Sequence, residues 1–144
     1  MDRKDWTLLV VAQGKLPLQP VQLQKSLFLL SRNLTSSQLQ TKSFYEFDPY
    51  DYGPFCGSVY SDAEDLETAG LVAIQRPPES RYNHYGITDL GLQKAQSIES
   101  KLDKNALEYL KKVVQFTQSV SFNQLVSAIY TTYPDMKANS AFRG

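Results

Sequence analysis

The chain has little of what most catalytic and metal sites are built from. Among 144 residues there is one cysteine, Cys56, and one histidine, His84. A single thiol forms no internal disulfide, so a reducing cytoplasm is the expected location. One cysteine and one histidine do not make a zinc-ligand set. No run approaches the roughly 20 apolar residues of a membrane-spanning helix. The longest, Leu8–Ala12 and Leu27–Leu30, have the length of core-helix segments. The seven glycines are scattered singly, so a glycine-rich phosphate loop is missing. Met1–Trp6 lacks the basic-then-apolar layout of a signal peptide, and the sequon Asn33-Leu34-Thr35 is read as chance.

Net charge is also missing. Fifteen basic and fifteen acidic side chains cancel, and the pI is about 6.6, which gives no global attraction to nucleic acid or anionic membrane. The order of the charges says more. Residues 1–42 carry six basic and two acidic side chains, and residues 76–144 carry nine and six. Residues 43–75 carry no base and seven acids: Glu46, Asp48, Asp51, Asp62, Glu64, Asp65 and Glu67. With 42% hydrophobic and 12% aromatic residues, a chain of this length fills one core without disulfides or metal.

Periodicity predicts a helix over about 2–13 that buries Trp6, Leu9 and Val10 and ends at Gly14 and Pro17. A second helix follows Pro20, with Val21, Gln24, Leu27, Phe28 and Leu30 on one side. Thr35-Ser36-Ser37 reads as a polar connection, and Phe44–Phe47 as a short strand from its aromatics. Residues 48–54 are too rich in turn residues for regular structure. A third helix runs from near Phe55–Gly57 to a Gly70 cap, with Val59, Ala63 and Leu66 inward. Strands are expected at 71–75 and 81–88. Thr88 then caps a helix whose face is Leu92, Ala95, Ile98 and Leu102. Another helix covers about 105–118, with Leu107, Leu110, Val113 and Val114 inward. Ser121 and Gln124 form a capping box for the last helix, which Pro134 stops.

The expected fold class is mainly α with a small β-hairpin: a winged helix-turn-helix with extra C-terminal helices. One domain spans 1–135, with its wing at 71–88, its C-terminal helices at 89–133 and a flexible tail at 136–144. The helix at 56–70 occupies the recognition-helix position. In the turn Tyr85–Gly91, Ile87 is expected to pin the strand end to the core while Thr88 caps the helix that follows.

Three segments carry a resemblance. Val21–Leu30 resembles the leading helix of YwgA-like winged-helix proteins, an uncharacterised bacterial and archaeal group. Tyr50-Asp51-Tyr52-Gly53-Pro54-Phe55 followed by Leu66–Val72 is similar to their central motif, and Val126–Pro134 to their C-terminal signature. The Gly-Pro motif also resembles Panacea-type antitoxin domains, and Ile87–Gly91 resembles PadR-like regulators. The resemblance implies the fold and a regulatory setting. It carries over no catalytic or ligand residue.

Candidate sites follow. Cys56 and His84 lie on different elements, with no acid or amide placed to orient the histidine, so a helix-start cysteine and a wing-facing histidine are expected rather than a nucleophile–base dyad. Asp48 and Asp51 read as turn formers before they read as an acid–base pair. The aromatic run is less easily dismissed: Phe44, Tyr45, Phe47, Tyr50, Tyr52, Phe55 and Tyr60 place seven rings in seventeen positions. Phe44, Phe47 and Phe55 are expected inward, which leaves Tyr50, Tyr52 and Tyr60 as a binding patch.

The third helix presents Ser58, Ser61, Asp62, Glu64, Asp65 and Thr68 outward, with no base among them, so its solvent side should turn polyanions away. Two functions remain. The first is a non-catalytic regulatory or interaction module. It binds a basic protein partner or a second copy of itself through Tyr50, Tyr52, Tyr60, Asp62, Glu64 and Asp65, in an antitoxin-like or adaptor role. The second is a dimeric DNA-binding transcriptional regulator that contacts DNA mainly through the wing residues Arg76, Arg81 and His84. Lys94, Lys101, Lys104, Lys111 and Lys112 read as solvated helix faces. Neither function needs a cofactor, a metal, a membrane or a small-molecule substrate, and no enzyme is expected.

Overall fold

The structure is a computed structural model that describes residues 1–142. It is mainly helical, with two small antiparallel hairpins. Helix α1, Arg3–Gln13, starts where Asp2 accepts from the Asp5 amide while Asp5 accepts from the Asp2 amide. Six consecutive residues, Trp6–Val11, are buried. An apolar run with no polar stripe belongs at the centre of a helical domain, and α1 lies there. The Trp6 indole N–H donates to the Leu39 carbonyl at 2.9 Å, so its one polar group is satisfied.

Gly14 ends α1 in close quarters: a Cβ there would sit 2.4 Å from Leu18 Cδ1 and 2.7 Å from the Leu16 carbonyl oxygen. Helix α2, Pro20–Asn33, begins with Pro20 in its first turn, and the Gln19 amide donates to the Gln22 side chain at 2.9 Å. Its buried side holds not only Leu23, Leu27, Phe28 and Leu30 but also Gln24, Lys25 and Ser26. Residues 35–37 are not an irregular connection, as expected, because Thr35 and Gln38 form a capping box that launches a one-turn helix α3, Ser36–Leu39.

The expected strand at 44–47 is absent, and the segment expected to be irregular forms a hairpin instead. Strands β1, Asp48–Tyr50, and β2, Gly53–Phe55, pair with Tyr50 opposite Gly53. Gly53 has φ +104°, a conformation that glycine adopts at little cost. Residues 44–47 have no strand beside them, and aromatic residues favour strands only through a pairing partner. Their rings pack instead: Tyr45 is buried in the core, and Phe47 meets Phe28 edge to face at 5.7 Å.

Helix α4, Ser58–Thr68, buries Val59, Asp62, Ala63 and Leu66. It closes with the Gly70 amide on the Glu67 carbonyl and the Leu71 amide on the Leu66 carbonyl, the paired bonds of a Schellman cap. The second hairpin is β3, Val72–Gln75, with β4, His84–Ile87. Leu18 adds an antiparallel bridge to Tyr85, with bonds of 2.8 and 2.9 Å. Thr88 accepts from the Gly91 amide and donates to the Gly70 carbonyl, so one side chain caps helix α5, Asp89–Glu99, and ties it to the end of α4. Leu92, expected inward, is 39% exposed. Gly91 takes the inward position because the Leu71 carbonyl approaches so closely that a Cβ would lie 1.9 Å from it.

Helices α6, Lys104–Ser119, and α7, Phe122–Thr132, begin at Asp103 and at the Ser121–Gln124 box. Helix α6 packs on α2, where Ser26 and Thr117 share a 3.0 Å hydrogen bond. A second, smaller core gathers Phe28, Leu125, Ile129 and Met136. The tail expected to be flexible from 136 is anchored through 142. A 3₁₀ turn at Pro134–Lys137 buries Met136, and the Ala141 amide reaches the Asp51 carbonyl at 2.7 Å. Residues 143–144 lie outside the described residues.

Candidate functional site

The first hairpin is gripped from two directions. From α2, the Gln24 side-chain amide donates to the Cys56 carbonyl at 2.9 Å and accepts from the Cys56 amide at 3.0 Å. This reproduces the two bonds of a strand pair. Beside it, Lys25 Nζ donates to the Pro54 carbonyl at 3.1 Å. From the C-terminal segment, Asn139 donates to the Pro49 carbonyl at 3.2 Å, and Ala141 and Ser140 both reach the Asp51 carbonyl. Phe122, the first residue of α7, meets the Tyr52 ring edge to face at 5.4 Å.

A turn held this firmly presents its outward rings in fixed positions. Tyr50 is 55% and Tyr52 47% exposed. Tyr60, expected beside them as a free ring, is half-buried and lies flat on Tyr85, with centroids 6.1 Å apart. Burial pushes its phenol up to about 12. Tyr60 therefore forms a wall rather than a protruding contact, and Phe55 joins it to Tyr50 at 5.9 and 5.2 Å. Between these rings and α2 lies a cavity of about 240 Å³ that Lys25 also lines.

The solvent side of α4 is not the bare anionic surface that the sequence implied. Asp62 is buried, not outward: its carboxylate accepts from the Tyr45 hydroxyl at 2.6 Å and from Arg3 Nε at 2.9 Å. Burial, and then the adjacent Asp62, raise the Tyr45 phenol above its ordinary value. Asp65 pairs with Lys4 at 3.0 Å. Glu67 accepts two hydrogen bonds from the Arg76 guanidinium, which holds its carboxyl below the usual range. Two of the cations come from α1, remote in sequence, and the third, Arg76, lies one residue past the segment 43–75, so a tally over that segment could not count them. Of the four acids on α4, Glu64 alone lacks an ion pair among the described residues. The bare anionic face expected from the sequence is thus one whose carboxylates are mostly paired.

The same pairing removes Arg76 from the free cations of the second hairpin. Arg81 stays exposed with no acid in ion-pair distance among the described residues, and His84 is half-buried, its ring 5.3 Å from Tyr82. Beside the loop end of this hairpin a cleft of about 830 Å³ runs toward α6, lined by Lys15, His84, Lys111, Gln75 and Gln115, with no carboxylate among its described lining residues. Cys56 is half-buried at the foot of the first hairpin, and no hydrogen bond joins it to His84 among the described residues. No group of three histidine, cysteine or carboxylate side chains is placed to hold a metal, and no helix is long and apolar enough to cross a membrane, again among the described residues.

The residues missed at the level of sequence are Gln24 and Lys25, which sit behind the tyrosines. The available signal was a polar trio, Gln24-Lys25-Ser26, set between Leu23 and Leu27 on an otherwise apolar face. No family model and no curated protein matches this chain.

Proposed function

We propose that the protein is a non-catalytic winged-helix interaction module that binds a protein partner, or a second copy of itself, through the tyrosine-rich first hairpin. One observation carries this reading: Tyr50 and Tyr52 are about half exposed on a turn fixed by side chains from α2 and by the C-terminal segment. Rigid tyrosines give a large contact area at low entropic cost and are enriched among residues that dominate binding energy. Glu64 and Asp65 are exposed carboxylates on the neighbouring helix, but the pairing of Asp65 with Lys4 limits the contribution of that helix. The order α1, α2, α4, then β3–β4, with α3 and the first hairpin inserted between α2 and α4, supports the winged-helix reading, as does the single bridge from Leu18 to Tyr85 on the second hairpin. The test is affinity capture from source cells, together with sedimentation for self-association. Tyr50→Ser with Tyr52→Ser should abolish the complex while leaving the thermal melt in place. A complex that survives this pair of changes contradicts the reading.

A second reading, DNA binding led by the wing, gains from two observations. The α4 carboxylates are largely paired, and the cleft beside the wing carries Lys15, His84 and Lys111 without an opposing acid. Among the described residues Arg81, near the tip, has no acid in ion-pair distance, whereas Arg76 is committed to Glu67. This reading requires affinity for mixed duplex that falls steeply as salt rises and that Arg81→Glu reduces. A lack of duplex affinity at low salt eliminates it.

A further inference from the structure

Lys25 is 5% exposed in the middle of α2. An ammonium has three N–H donors, and one of them is used, toward the Pro54 carbonyl. No carboxylate pairs with it among the described residues. The other buried polar side chains are answered: Asp62 by Arg3 and Tyr45, Ser26 by Thr117, Gln24 by both backbone polar atoms of Cys56. A charge taken out of water without a counter-charge is costly. Burial lowers this amine from about 10.5 to about 8, which still leaves most of it protonated at neutral pH. Lys25 is thus a cation short of an anion, and it lines a cavity.

The cavity selects further. Its volume of about 240 Å³ lies below the roughly 300–1,000 Å³ of sites that hold drug-sized ligands, so it takes one ring-sized group. Its walls are aromatic: Tyr52 against Phe122, and Phe55 between Tyr50 and Tyr60. Aromatic walls alone would suit an organic cation, but an ammonium among them rules that out in favour of an anion. Asp51 stands on the exposed turn at the rim, where a second negative charge on the ligand would meet it. That favours a monoanion over a phosphate. Gly53 helps by lacking a side chain: a Cβ there would lie 3.4 Å from Lys25 Cε and 3.7 Å from Nζ.

We propose that the cavity between α2 and the first hairpin binds a small monocarboxylic acid carried on a flat apolar group, the carboxylate on Lys25 Nζ and the ring among Tyr52, Phe55, Tyr60 and Phe122. The inference rests on Lys25 and its cavity and does not require the partner reading above.

Phenylacetate and its neutral analogue phenylacetamide are suitable probes, titrated into the full chain at neutral pH and followed through the amide resonances of Gly53 and Phe122. Phenylacetate should bind at least about tenfold tighter than the amide, since hydrogen bonds to charged groups are the stronger ones. Lys25→Met should erase that advantage. Equal binding of the two probes overturns the proposal, as does silence of both resonances or a carboxylate preference that survives Lys25→Met. Because the comparison of acid with amide uses the native chain, it decides the matter even if the Lys25 variant fails to fold.

Discussion

Arg3 Nε and Asp62 Oδ2 lie 2.9 Å apart across 59 positions of sequence, and the pair sets how the molecule meets charge. Asp62 sits on a helix whose sequence is wholly acidic in its charged residues, yet its carboxylate is inside, shared between Arg3 and the Tyr45 hydroxyl. Arg3→Met would leave that carboxylate uncompensated. Breaking a buried pair costs about 3–5 kcal/mol, and the partial exposure of Arg3 brings the expected loss to about 1–2 kcal/mol. Urea denaturation measures it, and a variant as stable as the parent refutes the importance of the pair.

Lys25 links stability to pH. In the unfolded chain its amine stays protonated to about 10.5, whereas in the folded protein it releases its proton near 8. Between these values the unfolded state binds more protons, so stability rises with pH. The gain is bounded by about 3 kcal/mol, and it should be measured below pH ~10, where tyrosine ionisation in the unfolded state starts to act in the opposite direction. Denaturation midpoints at pH 7.5, 8.5 and 9.5 should climb in the native chain and stay flat in Lys25→Met. Parallel profiles for the two proteins would refute the assignment.

Two glycines should respond differently to alanine. Gly91→Ala places a Cβ 1.9 Å from the Leu71 carbonyl oxygen, and that oxygen belongs to packed backbone, so α5 must separate from the end of α4. The expected loss is above about 3 kcal/mol, at the upper end of overpacking costs. Gly70→Ala meets nothing within 4 Å but must hold φ +77°, which costs about 1–2 kcal/mol. Thermal melts should rank the two in that order, and the reverse ranking would contradict the geometry.

The C-terminal segment should control the order of the tyrosine turn. A chain ending at residue 138 loses the contacts of Asn139, Ser140 and Ala141 with Pro49 and Asp51 and the Tyr130–Ser140 hydrogen bond. Hydrogen exchange at residues 50–53 should accelerate by about tenfold or more, because local opening then breaks fewer bonds, while exchange in α1 stays slow. Unchanged protection at the turn would show that α2 alone holds it.

Legibility from sequence followed the range of the interactions. Helix starts at Asp2, Thr88 and Ser121 could be read because a cap and its partner lie three residues apart. The Gly70 stop could be read for the same reason. The first hairpin could not, since what makes 48–55 regular is Gln24 and Lys25 from α2 and Asn139 to Ala141 from the far end of the chain. Leu92 was misplaced because spacing ranks it with Ala95 equally well, and only the approach of the Leu71 carbonyl decides for Gly91. The charge of α4 failed most instructively: local composition counted four acids, while the bases that answer three of them lie on α1 and the second hairpin. Tyr50 and Tyr52 were singled out by an excess of rings over what one core can hold, and both are exposed.

The most direct measurement is to install a photo-reactive amino acid in place of Tyr52, Glu64 or Arg81 in turn, irradiate within source cells and identify the adducts. A protein adduct from position 52, weaker at 64 and absent at 81, is the outcome expected of a module that docks through its first hairpin. Adducts at 81 with nucleic acid, and none at 52, would contradict it.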